Sequence, residues 1–258
     1  MAQMQQQSRQ YSGHAVQAVI GLGLAALIFS VWLALHIYAV FVFVLTWINL
    51  PLGVGIAVLQ CWLSVGLFII SHDAMHGSLA PGRARLNGAI GGGLLFLYAG
   101  FGWRKMRDAH FAHHRHAGLF GDPDFDTDNP KNFWRWYKTF LTRYFGWRSI
   151  VYVSMIVTVY WLFFGVPMVQ IVLVFGLPAI ASSIQLFYFG TYRPHRHTAD
   201  SFGDWHNARS DDFSSLVSLA TCFHFGYHHE HHSYPQTPWW ALPRRRRGLA
   251  QSETELSR

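Results

Sequence analysis

The chain has 258 residues, 51% of them apolar, with a net charge of +7 but only 13% charged residues, against a usual ~25%. Such a shortage of charge points away from a water-soluble domain and towards a membrane protein. The placement of the charge argues against a nucleic-acid surface, because nineteen of the twenty Lys and Arg lie in residues 83–148 and 193–258, between uncharged apolar runs, as the positive-inside rule expects.

The chain reads as one membrane-embedded domain, 1–258, with a flexible N-terminal tail expected at 1–13 and a basic, polar C-terminal tail at 244–258. The first tail is Gln-rich and lacks a basic segment followed by a short apolar core and a small-residue cleavage site, so no signal peptide is expected. Residues 14–50 are almost wholly apolar, more than the ~20 that one span needs. They predict a membrane helix over 15–36 and then an interfacial piece around Trp47 that ends at Pro51. His36 stands alone near a helix end and is expected to be hydrogen-bonded or to reach for the interface. Residues 52–71 predict a second span, which delivers His72-Asp-Ala-Met-His76 at its far end. Cys61 lies in that apolar run and Cys222 borders a histidine-rich stretch, a placement that gives neither a disulfide framework nor a zinc motif.

Arg83 and Arg85 mark the return to the basic side. The Gly-rich apolar run 89–103 is short for a span and predicts a buried, re-entrant or interfacial segment. His110-Phe-Ala-His113-His114 follows at once. Residues 121–130 carry four alternating aspartates without the Gly and Glu of a calcium loop, which predicts a structural loop with Asp122 or Asp124 holding a His or Arg. Residues 133–147, rich in Trp, Tyr, Lys and Arg, predict an amphipathic surface helix. Residues 150–167 and 169–189 predict the third and fourth spans, reversing at Gly165-Val-Pro167. After Arg193-Pro-His195-Arg-His197 comes Phe223-His-Phe-Gly-Tyr-His-His-Glu-His-His232, with five of the sixteen histidines. Trp239 and Trp240 read as an interfacial anchor, and Arg244 to Arg247 as a lipid-facing stop. The expected fold is all-α, with four transmembrane helices in two hairpins and a cytosolic histidine-rich cap for two metal ions.

Helical spacing carries the metal argument. His72 and His76 are i and i+4; His110, His113 and His114 are i, i+3 and i+4. If 223–232 is helical, His224, His228, His231 and His232 share a face, while His229 turns about 100° off it. Neither His229 nor His116 is expected as a ligand. With His195, the candidate set is His72, His76, His110, His113, His114, His195, His224, His228, His231 and His232. Ten imidazoles exceed the three or four of a zinc site and suit two ions of four or five ligands each. Ligand type alone leaves the metal open. The Glu-x-x-His pairs of soluble di-iron bundles do not occur. Asp73, Asp108 and Glu230 are expected to hydrogen-bond the far ring nitrogens of ligands.

These three histidine boxes resemble the membrane fatty-acid desaturase and hydroxylase superfamily. Within it, His72-Asp-Ala-Met-His-Gly-Ser78, His110-Phe-Ala-His-His with Asp122-Pro-Asp-Phe125, Tyr192-Arg-Pro-His195 and 223–232 are similar to the bacterial β-carotene ketolase family. The likeness covers the chain from the first span to Pro235. It implies an inner-membrane enzyme with histidine boxes on the cytoplasmic side, using O2 and two iron ions. It implies oxidation of C4 of a β-ionone ring, from β-carotene to echinenone and canthaxanthin, and of hydroxylated substrates such as zeaxanthin towards astaxanthin. Two hydroxylations at one carbon give a gem-diol that loses water to the ketone. The chain has no dinucleotide fingerprint and too few cysteines for an iron–sulfur cluster, so the electrons should come from a separate ferredoxin-type donor. An aromatic tunnel open to lipid is expected to take the substrate, with Phe96, Tyr98, Phe101, Trp103, Phe187, Tyr188 and Tyr192 as candidate lining. A fatty-acid desaturase, an alkane hydroxylase, a carotenoid ring hydroxylase, a metal-dependent membrane hydrolase and a metal carrier are the rival readings.

Overall fold

The computed structural model describes residues 2–198 and 201–256, except the side chains of 2–12 and 250–256. Among the described residues every regular element is helical. Helix α1, Ala2–Ile37, runs on through a wider turn, Tyr38–Val42, so the first apolar helix extends past the end expected from sequence. The following piece is a tight turn in which Asn49 Oδ1 accepts from the Thr46 amide at 2.7 Å and Trp47 and Ile48 stand exposed. Helix α2, Leu50–His76, starts with Pro51 in its first turn and ends at Gly77, φ 75°, a left-handed position that costs glycine little.

Helices α3 (Ala84–Ala99) and α4 (Trp103–His116) follow, joined through Gly100. Helix α5, Phe133–Tyr144, is capped by the Asn132 side chain, which accepts from the Arg135 amide. Helix α6, Trp147–Thr158, continues to Phe163 and meets α5 at 83°. After the turn at Gly165 one long helix, Met168–His195, contains α7 (Met168–Ile171), α8 (Leu177–Phe187) and α9 (Arg193–His195), separated by wider turns. Short helices α10 (Ser215–Cys222) and α11 (His228–Ser233) and a C-terminal helix α12 (Leu242–Leu256) complete the chain. The described parts of the two tails, 2–13 and 244–256, lie within α1 and α12.

Among the described residues three helices are long and apolar enough to cross a membrane: Gly13–Val42, Leu50–His76 and Met168–His195. A fourth is available if the bent pair Phe133–Tyr144 and Trp147–Phe163 counts as one. Helix α2 is the central post, in contact with α1, α3 and α8. Its second half, from Leu63 on, is buried nearly throughout, which explains an apolar run with little facial pattern. The first and last long helices are tied together by Gln170, whose Nε2 donates to the carbonyls of Ala39, Val40 and Phe43 where the first helix breaks. His36 is hydrogen-bonded to Tyr160 at 2.8 Å, and both cysteines are free.

Helix α3 lies close to α2 because Gly91 has no side chain. A Cβ there would overlap the Trp103 ring and stand 2.9 Å from Ala74 Cβ, two residues from each of the first histidines. Replacement Gly91→Val is expected to cost about 1–3 kcal/mol through overpacking. Thermal unfolding in detergent would show a lowered midpoint; an unchanged midpoint would mean that α3 and α2 are not in this contact.

Candidate metal centre

Four helices deliver nine imidazoles. His72 and His76 end α2, His110, His113 and His114 lie on α4, His195 ends α9, and α11 carries His228, His231 and His232. They separate into two groups: His72, His76, His110, His114 and His231 in one, and His113, His195, His228 and His232 in the other. Within each group the ligand atoms lie within 4.8 Å of one another. Helical geometry makes the division. On α4 the i, i+4 pair His110 and His114 serves the first group, and His113, turned about 100° from His114, serves the second. On α11 the pair His228 and His232 serves the second, and His231 the first. The groups abut where the rings of His114 and His232 stack at 4.1 Å.

The Nε2 atoms face inwards. They stand 2.6 Å apart between His76 and His110, 3.0 Å between His114 and His231, 2.9 Å between His195 and His228, and 3.1 Å between His228 and His232. Burial first, and neighbouring imidazoles second, push His110, His114, His231 and His232 well below the ordinary histidine range. The same causes act on His228. These rings are neutral at pH 7, the form that binds metal.

His113 differs. Burial works against its charge, but the Asp122 carboxylate, 2.9 and 3.0 Å from Nδ1, holds it above its ordinary value. Burial would raise Asp122 too, yet His113 and the amides of Asp124 and Gly118 hold it low. Nδ1–H therefore donates to Asp122, and Nε2 is left to the group. His195 is set the same way, its Nδ1 donating to the Asn207 carbonyl at 2.8 Å. Both ring nitrogens of His72 lack a hydrogen-bond partner in the described residues, as does the Nδ1 of His228 and of His232, whose Nε2 atoms face into the second group. Buried neutral imidazoles whose ligand nitrogens converge on two points fit two metal ions held by nitrogen alone.

Four sequence expectations need correction. His224 does not share the face of α11, because α10 ends at Cys222 and both Phe223 and His224 take positive φ, 48° and 63°. The helix restarts at His228, and His224 stacks on Tyr227 and Trp239, outside both groups. Asp73 orients no ligand: one oxygen accepts the Trp239 amide at 3.0 Å, and the other is 3.8 Å from His72 Nδ1. Glu230 accepts from Arg246 at 2.8 Å and from the Ser210 hydroxyl. Asp108 is exposed on α4. The carboxylate that does hold a ligand is Asp122, from the aspartate loop. His229 pairs with Asp204 at 2.8 Å and His116 is exposed, so both stay out of the groups.

A cavity opens beside the two groups. It is lined by Phe68, Met75, Tyr98, Phe101, Met106, Phe140, Tyr144, Leu186 and Phe225, together with His72, His110, His113, His228 and Asp124. Of the candidate lining residues, Tyr98 and Phe101 are on this cavity's wall. Phe96 packs outside on Tyr152, and Trp103 lies over Gly91. Phe187, Tyr188 and Tyr192 pack with Phe133 instead, because the residue after Leu186 points away from the cavity.

Losing the Asp122 carboxylate frees the His113 ring. Asp122→Asn is expected to weaken metal binding by about 10–100-fold, while Asp73→Asn leaves it unchanged. Metal per chain after dialysis against a graded chelator measures both, and equal loss in the two variants would contradict the assignment. Stability of the metal-free chain should also depend on pH. The lowered histidines bind protons in the unfolded chain below ~6.5 but not in the folded one, so stability is full above that value and falls below it, by about 1.4 kcal/mol per pH unit for each group. A melting temperature of the metal-free chain that stayed flat from pH 7.5 to 5.5 would refute this.

The fatty acid desaturase family matches residues 45–255. A β-carotene ketolase of Paracoccus sp. (strain N81106 / MBIC 01143) is 54% identical over 217 residues, 84% of this chain and 88% of that protein. Another, of Paracoccus sp. (strain PC1), is 48% identical over 241 residues, 91% of this chain and 96% of that protein. A zeaxanthin 4-ketolase of Chlamydomonas reinhardtii is 33% identical over 239 residues, 87% of this chain and 52% of that protein. No solved structure matches the chain. With a family match over most of its length and relatives of this identity and coverage, the chain belongs to the fatty acid desaturase family, in its β-carotene ketolase branch.

Proposed function

We propose that the chain is a carotenoid ketolase that oxidises C4 and C4′ of β-ionone rings, taking β-carotene and 3-hydroxylated carotenoids such as zeaxanthin. The observation that carries the reading is the apolar aromatic cavity lined by histidines of both imidazole groups. The chemistry needs both: a hydrocarbon site, and metal able to oxidise an unactivated C–H. Iron is the metal proposed, two ions, one on His72, His76, His110, His114 and His231 and one on His113, His195, His228 and His232. When bound, the iron supplies O2 activation and C–H oxidation. Each of two rounds consumes one O2, two electrons and two protons and releases one water; the resulting gem-diol loses a further water to give the ketone.

The chain's own residues bind and orient. Phe68, Tyr98, Phe101 and Phe140 form the walls that accept a flat ring and keep bulk water from it. Asp122 and the Asn207 carbonyl fix the His113 and His195 rings, so that the second group keeps one geometry. The electrons are assigned to a ferredoxin-type protein. Four spans in two hairpins, in the inner membrane with the histidines on the cytoplasmic side, account for the placement of the positive charge beside the histidine boxes. Exposed Val19, Leu27, Val54 and Val58 along the first two long helices suit contact with lipid.

Cells that make β-carotene and express the chain should accumulate its mono- and diketones, only with O2 present. Variants His76→Ala, His114→Ala and His232→Ala should give no detectable ketone while the chain remains in the membrane fraction. Pigment mass and absorption decide. Products hydroxylated at C3 without a ketone would replace this reading with a ring hydroxylase, and near-normal ketone from the variants would remove the histidine groups from the chemistry.

A further inference from the structure

The cavity that meets the imidazoles contains one carboxyl group. Asp124 reaches it from the aspartate loop with its backbone fixed on both sides. Its amide donates to Asp122 Oδ1 at 2.8 Å, and its carbonyl accepts from the Trp136 indole at 2.7 Å. Its Oδ1 accepts the Tyr144 hydroxyl. Its Oδ2 is 3.9 Å from His113 Nδ1, beyond a hydrogen bond, and no hydrogen bond to Oδ2 is found among the described residues. Around this pair the lining is Phe101, Met106, Phe140 and Leu141. A carboxyl group in such surroundings is costly unless something bonds to it.

A hydrocarbon ring offers nothing to bond. Given the carotenoid ketolase reading above, β-carotene acquires its first polar atom during the reaction itself, as the alcohol at C4. That alcohol has one O–H to give and two lone pairs to receive. Asp124 Oδ2 is an open acceptor, and the pair sits in the same cavity as His72, His110 and His113. A ketone requires the alcohol to stay for a second oxidation at the same carbon. An alcohol that left would be a hydroxylated product instead.

We propose that Asp124, held by Tyr144, binds the C4 hydroxyl on the substrate ring, and that by retaining this alcohol it commits that carbon to the second oxidation. Tyr144 fixes the Asp124 carboxyl through Oδ1, and Oδ2 accepts the alcohol O–H. Asp124 touches the intermediate, and Tyr144 is a positioning residue that acts through it. They form a selectivity device between releasing an alcohol and completing a ketone.

The test uses the full chain in membranes with β-carotene, O2 and a reduced ferredoxin system. Tyr144→Phe removes one hydroxyl and keeps the ring packing; Asp124→Asn keeps the shape and removes the charge. Each is expected to raise the ratio of released 4-hydroxy carotenoid to ketone by about tenfold or more, as the loss of a hydrogen bond to a charged group implies. Metal per chain should stay at the wild-type value. Supplied directly, the 4-hydroxy carotenoid should show a KM raised by a similar factor. An unchanged alcohol-to-ketone ratio with a parallel fall in metal content would overturn the proposal and make Asp124 a support for His113. A raised KM confined to 3-hydroxylated substrates, with no alcohol released from β-carotene, would also overturn it, because the group held would be the 3-hydroxyl. A wild-type chain that oxidises no carotenoid would instead defeat the ketolase reading, and it is scored before the variants.

Discussion

Nitrogen lone pairs facing one another at hydrogen-bond distance, inside a protein, are the constraint on which the rest depends. Two neutral imidazoles can share one proton between their Nε2 atoms, but clusters of five and four cannot satisfy every ring that way. Each orphaned buried nitrogen costs on the order of 1–3 kcal/mol. A cation at the centre of each group takes up the nitrogens that face it and removes that cost for them. The long helices also favour cations there. Helix α2 ends at His76 and the last long helix ends at His195, so both present the negative ends of their dipoles to the centre. The parallel delivery of these two ends makes α2 the central post and leaves α4 and α11 to supply the remaining rings.

The sequence was most legible where one helix carries the information. The i, i+4 spacing of His72 and His76, and of His110 and His114, survives intact, as does the placement of His229 off the face of His228. His224 failed because the apparent i, i+4 relation to His228 crosses a helix break, where Phe223 and His224 sit at positive φ without being glycine. No periodicity argument anticipates that. Carboxylate roles were less legible, since a carboxylate's partner is set by tertiary contacts. Asp73 and Glu230 sit next to ligands in sequence and therefore point elsewhere on the helix. Asp122 comes nine residues after His113, through a turn, and reaches it. The aspartate loop carried the usable signal: acidic side chains alternating beside a histidine box. Of the aromatic candidates, Tyr98 and Phe101 reach the cavity and Phe187 does not, because each step along a helix turns the side chain by about 100°.

The cavity and the centre share walls, which couples hydrophobic packing to metal geometry. Phe225 illustrates the coupling. Its ring lies 4.7 Å from that of His72 and 5.0 Å from that of His228, so it touches imidazoles of both groups and lines the cavity as well. Gly190 makes room for it, since a Cβ there would stand 2.8 Å from the Phe225 ring. A change of one methyl group on the last long helix would therefore press on both groups together. Close packing of this kind lets a metal centre built from short helices hold its shape.

The end of α2 has a consequence for how the protein is made. His76 offers its backbone carbonyl to the Gln236 side chain at 3.0 Å, and Asp73 takes the Trp239 amide. Those partners lie 160 and 166 residues further along the chain. A ribosome releases the first two histidines long before it makes the residues that anchor their turn. The boxes on α4 and α11 and the anchor at 236–239 reach the membrane in sequence, and the last of them closes the centre. Both imidazole groups are therefore anchored in full only once the chain through residue 239 has been made, and a chain stalled before residue 236 would hold its early histidines without the clamp that orders them.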